Sequence, residues 1–124
     1  DLDVYVVLEE GAFRYDANGN TLEPVAAGDL RGETGSQDFV KDAPVSLVYV
    51  SDVSKMRGLA PELRDLYVGM HAGLVSQNVS LYCASAGLAT VVRGSIDREA
   101  IRGALALAPE QRVAFAQSVG RPPG

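Results

Sequence analysis

Few residues of this sequence could carry chemistry by themselves. The 124 residues include one histidine, His71, and one cysteine, Cys83. An intrachain disulfide and a zinc site built from Cys and His alone are therefore excluded. The sequence lacks a phosphate loop ending in Gly-Lys-Ser/Thr, a Gly-x-Ser-x-Gly nucleophile elbow and a dinucleotide-binding fingerprint after a strand. We predict no catalytic side chain and no metal site, a packed structural role for His71, and burial of Cys83 as a small hydrophobic residue.

The segment Val91-Val92-Arg93-Gly94 is the one pattern that suggests a ligand site. It leads from a predicted strand into a turn that begins a helix. Such a junction offers free backbone N–H groups, a glycine that lets a planar ligand approach closely, and one cation. Arg112 and Arg121 flank the last predicted strand and could meet an anion, although a solvated surface position is commoner for such residues.

Composition excludes several classes of function. Eleven Lys and Arg against sixteen Asp and Glu give a net charge of −5, which disfavours nucleic acids and anionic membranes. No apolar run reaches the roughly 18–20 residues needed to cross a bilayer, and no signal peptide is visible, so we expect a cytoplasmic protein. The length suits a single domain over residues 1–124. Because the first residue is Asp1, the chain is either a trimmed protein or a piece of a longer one.

The first half of the sequence predicts a β-ribbon and a central strand. Residues 3–10 and 11–15 have the composition and alternation of strands, and Asn-Gly lies in the turn that follows. Residues 21–25 return as an edge strand because they contain Pro24. Residues 26–44 are predicted to form a loop with one helical turn, and residues 45–50 a central strand.

The longest predicted element is a helix over residues 61–86, which begins at Pro61 and ends before Gly87. Two of its stripes are apolar, and a third consists of small residues. The small residues are Gly69, Gly73, Ser76, Ser80 and Ala84. A helix apolar on most of its circumference must be covered on most of it. We predict that it lies in a subunit interface; the alternative is a central helix with its own sheet on one side.

The second half completes an α+β pattern. A connection over residues 51–60 carries a helical turn, and residues 88–92 form a further buried strand. Asp97 is expected to cap a helix over residues 98–107. Residues 113–119 alternate as the last strand.

In these stretches the sequence resembles the C-terminal half of the nitroreductase family, in particular the branch of SagB-type, azoline-oxidising dehydrogenases. The matching stretches are Tyr5–Tyr15 (YVVLEEGAFRY), Gly28–Pro44 (GDLRGETGSQDFVKDAP), Val45–Val50, Ala72–Asp97 (AGLVSQNVSLYCASAGLATVVRGSID) and Gln111–Gly120 (QRVAFAQSVG). They cover nearly the whole chain in the family's order and spacing.

The resemblance implies an intertwined homodimer of α+β subunits, with a central antiparallel or mixed sheet and one FMN in each of two clefts between subunits. Electrons would pass from NAD(P)H, or from an organic substrate such as an azoline, through the flavin. The helix over 61–86 matches the family's interface helix. The backbone of Val91, Val92, Arg93 and Gly94 matches the segment against the flavin ring, and Arg121 matches a basic residue near the FMN phosphate.

One departure from the family keeps an alternative open. Family members open with helices carrying an Arg-Arg-Ser-x-Arg-like motif that binds the FMN phosphate, and this sequence has neither. Each charge-assisted hydrogen bond lost would weaken binding by about 1.5–3 kcal/mol. The chain is expected to be a partial nitroreductase-like domain. The alternatives are a dimerising remnant that no longer binds FMN, and a fragment whose N-terminal half is a separate or clipped chain.

Overall fold

The computed structural model describes residues 2–123 as one six-stranded sheet with two α-helices. The strands are β1 Leu2–Leu8, β2 Gly11–Asp16, β3 Thr21–Ala27, β4 Val45–Asp52, β5 Ala89–Arg93 and β6 Gln111–Gly120. The helices are α1 Pro61–Ala86 and α2 Arg98–Ala104. The order across the sheet is β3-β2-β1-β4-β6-β5, and every neighbouring pair is antiparallel. The predicted α+β class is confirmed, with an antiparallel rather than a mixed sheet.

The β-ribbon at the start of the chain is confirmed, with shifted ends. The first strand stops at Leu8, because Glu9 and Glu10 form the turn into β2. In the next turn it is Asn20 that adopts the left-handed conformation, with φ of 50°, and its side chain accepts a 2.9 Å hydrogen bond from the Tyr15 hydroxyl. Pro24 lies in β3 at one edge of the sheet, where its missing N–H costs no ladder bond.

The predicted central strand forms the middle of the sheet. β4 lies between β1 and β6, and Val48, Tyr49 and Val50 are all buried. One face of the sheet packs Val48 and Val50 against Ile101 and Leu105 at α2. The other face carries Tyr49 and is covered by α1. The molecule therefore has three layers, with helices on both sides of the sheet.

Helix α1 begins and ends where the sequence predicted. Pro61 occupies the first turn, where its missing N–H has no partner to lose. Gly87 takes the left-handed conformation, with φ of 73°, and its N–H donates to the carbonyl of Cys83. No helix among the described residues is long and apolar enough to span a membrane.

The connecting segments differ in detail from the prediction. Residues 26–44 contain two 3-10 turns, Arg31–Thr34 and Asp38–Lys41, rather than one, and the predicted turn after β4 is Val53–Met56. Asp97 caps α2 as predicted, accepting a 3.1 Å hydrogen bond from the N–H of Ala100. The helix ends at Ala104 instead of residue 107, because Ala106 turns into the left-handed conformation.

Candidate functional site

Strand β5 forms an edge of the sheet, and the prediction that it is buried is wrong. It pairs with β6 alone, so no described strand covers its outer side. Val91 and Val92 are 44% and 46% exposed. Because side chains alternate along a strand, these two valines lie on opposite faces of the sheet. Val91 and Val92 of the predicted ligand segment are thus accessible, as a ligand site requires.

Arg93 ends β5 with its side chain inside the protein. Only 3% of the residue is exposed. Its Nε donates to Oγ of Ser118 at 2.9 Å, and its Nη2 donates to Oγ of Ser46 at 2.8 Å and to Oγ1 of Thr34 at 3.3 Å. Its Nη1 donates to the backbone carbonyl of Thr34. The guanidinium therefore does not reach out from the turn toward a ligand, and it joins β5, β6, β4 and the first 3-10 turn.

All four of these partner groups are neutral oxygens, so the charge of Arg93 has no counter-ion among residues 2–123. Burial lowers the pKa of Arg93 from its usual value, and no carboxylate opposes that shift. An arginine nonetheless keeps its proton under physiological conditions, because its ordinary pKa exceeds 12. The protein therefore holds an unneutralised positive charge beneath the edge strand.

A cleft of about 420 Å³ opens on the same face of the sheet as Arg93. It lies between the start of β5, the end of β6 and the second 3-10 turn. The lining comprises Phe39, Asp42, Ala43, Pro44, Ala89, Thr90, Val91, Ser118, Val119, Gly120, Arg121 and Pro123. Most of these residues are apolar, so the cleft suits a flat organic group.

Some of the predicted site residues line the cleft, and others lie outside it. Val91 and Arg121 both line it, and Arg93 lies directly behind Ser118 in its wall. Val92 faces the other side of the sheet, and Gly94 follows the strand at an exposed position. A Cβ at Gly94 would have no heavy atom within 4 Å, so the space beside its backbone is open. Arg121 makes no hydrogen bond or ion pair with the described part of the chain.

No pattern in the sequence indicates the polar network that lies behind β5. Oε1 of Gln117 accepts a 2.5 Å hydrogen bond from the Tyr49 hydroxyl. Its Nε2 donates to Oγ1 of Thr90 at 2.9 Å and to Oγ of Ser80 at 3.2 Å. Burial, with a smaller contribution from the charge of Cys83, raises the pKa of the Tyr49 phenol far above its usual range, so it remains a donor. Gln117 thereby ties β4, β5 and α1 together.

The remaining singled-out residues lie away from this cleft. Cys83 is buried, as predicted. The ring of His71 lies 6.0 Å from that of Tyr67, beside the turn after β4. Arg112, at the opposite end of β6 from Arg121, forms an ion pair with Asp65 of α1.

Helix α1 covers the sheet with one face and leaves the other apolar face uncovered in the single chain. Its buried residues are Val68, Ala72, Ser76 and Cys83. Its large exposed apolar residues are Leu63, Leu66, Met70, Leu74, Leu81 and Tyr82. The stripe of small residues is divided: Ser76 and Ser80 lie against Gln117 of the sheet, whereas a Cβ at Gly69 or Gly73 would meet no heavy atom within 4 Å. Within the single chain α1 thus has its own sheet on one side, as in the predicted alternative, and its other side is open to a partner.

Comparisons with known proteins agree on one family. The model of the Nitroreductase family matches residues 1–121. No curated protein matches the sequence significantly. The solved structure of a protein described as a nitroreductase from Ralstonia eutropha JMP134 is 41% identical, with a TM-score of 0.92, and the match covers 99% of this chain and 59% of that one.

Two further structures are similar in fold. The E. coli microcin synthetase McbBCD, solved with truncated pro-MccB17 bound, has a TM-score of 0.86 at 17% identity, over 99% of this chain and 52% of that chain. The NADPH:FMN oxidoreductase from Vibrio harveyi, complexed with NAD+, has a TM-score of 0.63 at 24% identity, over 77% of this chain and 45% of its own. The chain therefore spans between 45% and 59% of the length of these three relatives.

Proposed function

The chain belongs to the nitroreductase family, and from that membership we propose that it is the FMN-binding part of a flavin-dependent oxidoreductase that acts as a homodimer. The observation that carries this proposal is the family match over residues 1–121, which includes all of α1 and every residue that lines the cleft except Pro123. A similar fold in an NADPH:FMN oxidoreductase supports FMN as the flavin. The electron donor would be NAD(P)H or an organic substrate, with SagB-type azoline oxidation among the possible reactions.

The residues of the cleft fit such a cofactor. An isoalloxazine ring is flat and largely apolar, and the wall formed by Ala89, Val91 and Pro44 offers it an apolar surface. Arg121, which has no protein partner among residues 2–123, is available for the phosphate. Because β5 pairs on one side only, it also retains backbone groups that can hydrogen-bond the edge of the ring beside Val92 and Gly94.

The chain's contribution would be binding and orientation rather than acid–base catalysis. FMN, when bound, supplies the electron and hydride transfer itself. Arg93 and Gln117 fix β5 from its two faces, so the strand is held in place before any ligand arrives. In this arrangement the chemistry requires no side chain of the cleft as a nucleophile or a general base.

The homodimer would use the uncovered face of α1. Leu66, Leu74 and Tyr82 are each more than half exposed. Large apolar side chains that are exposed along one helix in this way are costly in water and are typical of an interface. The free, buried Cys83 also suits a reducing compartment, and we propose a cytoplasmic location.

A second candidate is a dimerising remnant without cofactor. It is favoured by one observation, the absence of the family's Arg-Arg-Ser-x-Arg-like motif from these 124 residues. It predicts a colourless dimer that oxidises no NAD(P)H when FMN is added. The flavin proposal predicts instead an FMN-loaded dimer.

Titration of the purified chain with FMN separates the two candidates. Bound flavin is followed by its absorption near ~450 nm and its fluorescence, and NAD(P)H oxidation is then assayed with an artificial acceptor. Val91→Trp, which fills the cleft, should abolish binding. Val25→Trp, at the opposite edge of the sheet, should not. Equal FMN binding by both variants would show that the flavin lies elsewhere, and no binding by the unmodified chain would support the remnant.

A further inference from the structure

Arg93 lies where its positive charge can act on a ligand in the cleft. It lies in β5 within the segment whose backbone is proposed to face the flavin, yet its side chain points into the protein. Its nearest cleft-lining partner is Ser118, whose Oγ is 2.9 Å from Nε. One serine side chain therefore separates the guanidinium from the cleft.

The charge of Arg93 is not cancelled locally. Thr34, Ser46 and Ser118 provide dipoles but no negative charge. Structural arginines inside proteins are usually paired with a carboxylate, because burial of an isolated charge is costly. A charge that is neither solvated nor paired acts on the adjoining cleft across one serine side chain, in addition to the charges of Asp42 and Arg121, which line the cleft themselves. A ligand that gains negative charge there is stabilised.

Resting on the proposed function, we propose that Arg93 raises the reduction potential of the FMN bound in this cleft, and that it does so through its charge without touching the ligand. Reduction adds two electrons and one proton to the neutral ring, which leaves the reduced ring with one negative charge. The field of Arg93 favours that anionic ring over the neutral oxidised one. In binding terms, the cleft holds reduced FMN more tightly than oxidised FMN.

If Arg93 had only a structural role, its loss would affect FMN binding in a different way. If Arg93 only holds the first 3-10 turn against the sheet, the loss of its hydrogen bonds would weaken the binding of oxidised and reduced FMN alike. The ratio of the two affinities, and hence the reduction potential, would then remain unchanged. The two roles are therefore separable by a variant that changes charge but preserves the hydrogen bonds.

Ser46 offers that variant, because its Oγ lies 2.8 Å from Nη2 of Arg93. Ser46→Asp places a carboxylate against the guanidinium and neutralises it, whereas Ser46→Asn is the uncharged control of the same shape. We expect Ser46→Asp to lower the preference for reduced FMN about tenfold relative to Ser46→Asn, which corresponds to about 30 mV for a two-electron couple. The potential is measured on the FMN-loaded protein by dye-equilibrated reductive titration.

A second pair of variants tests the same inference if Ser46→Asp prevents the protein from folding. Arg93→Lys keeps the charge and loses most of the hydrogen bonds, and Arg93→Gln loses both. The potential should fall in Arg93→Gln and stay near the wild-type value in Arg93→Lys. Equal potentials within both pairs would overturn the inference while leaving FMN binding, and hence the proposed function, intact. Failure of the unmodified chain to bind FMN would overturn both.

Discussion

The hydroxyl of Tyr49 donates a 2.5 Å hydrogen bond to Oε1 of Gln117, and neither side chain exposes any surface. The same glutamine also bonds Thr90 and Ser80, so the pair connects the centre of the sheet to the edge strand and to α1. Buried polar groups of this kind stabilise a fold only while every member keeps its partners.

Removal of Gln117 should therefore cost more than removal of the Tyr49 hydroxyl. We expect Gln117→Leu to lower the free energy of unfolding by about 2–3 kcal/mol, and Tyr49→Phe by about 1–2 kcal/mol, because the leucine leaves more buried groups unpaired. The double variant should cost less than the two single costs added together. Urea denaturation measures all three, and strict additivity would show that the two residues act independently.

The extended backbone at Gly35 leaves no room for a side chain. A Cβ there would overlap Nη1 of Arg93 and come within 3.0 Å of Cγ2 of Val40. Gly35→Ala should destabilise the protein by about 1–3 kcal/mol through this overlap. Gly58→Ala is the matched control, since a Cβ there meets no atom within 4 Å. Similar unfolding midpoints for the two variants in urea would contradict the packing described around Arg93.

Arg121 should act on the phosphate of FMN and not on its ring. Arg121→Gln is expected to weaken FMN binding about tenfold or more, the loss of one charge-assisted hydrogen bond of about 1.5–3 kcal/mol. Riboflavin, which lacks the phosphate, should bind the variant and the wild type equally. Arg57→Gln, at the exposed turn after β4, controls for the change in net charge. Parallel losses for FMN and riboflavin would place the phosphate elsewhere.

The uncovered leucines of α1 should control assembly. Leu74 is 62% exposed in the single chain, and Leu74→Lys would place a charge in the proposed dimer interface. We expect the dimer dissociation constant to rise about 30-fold or more, as for the loss of about 2 kcal/mol. Leu22→Lys alters an exposed leucine of β3 and should leave the dimer intact. Dissociation constants that agree between the two variants would remove α1 from the interface.

The first 3-10 turn should loosen in acid. Hydrogen bonds from Arg31 lower the pKa of the Asp29 carboxyl from 3.8 to about 2, and Arg31 also reaches the carbonyl of Ala43. Because the folded pKa is the lower one, the stabilisation is complete above pH 3.8 and is lost as the pH falls through about 2. NMR titration of Asp29 should show this low midpoint. A midpoint near 3.8 would contradict the Asp29–Arg31 pairing. The variant Asp29→Asn should abolish the loss of stability that accompanies protonation of Asp29.

The two ends of α1 could be predicted from residues that lie at those ends. Pro61 and Gly87 mark its two ends, and each acts through the backbone of its own turn. The edge position of β5 could not be predicted in this way, because it depends on pairing with β6 and on the absence of a described strand beyond it. A run of apolar residues indicates a strand, but it does not tell which of its sides will be covered.

The candidate site shows the same division between local and non-local information. The strand-to-turn pattern around Val91 and the family resemblance at Arg121 each pointed to a ligand, and both residues line the cleft. Arg93 was expected to offer its cation to a ligand, but it bonds Thr34 and Ser46, which lie 59 and 47 residues away. Contacts across such separations are fixed by the fold and leave no pattern in a single sequence.

Sedimentation velocity of the FMN-loaded protein, recorded at the protein and flavin wavelengths together, tests the central claim most directly. We expect one boundary at twice the 13.1 kDa mass of the chain, with flavin absorbance moving with it. A boundary at the mass of one chain, or flavin left behind by a colourless dimer, would contradict it.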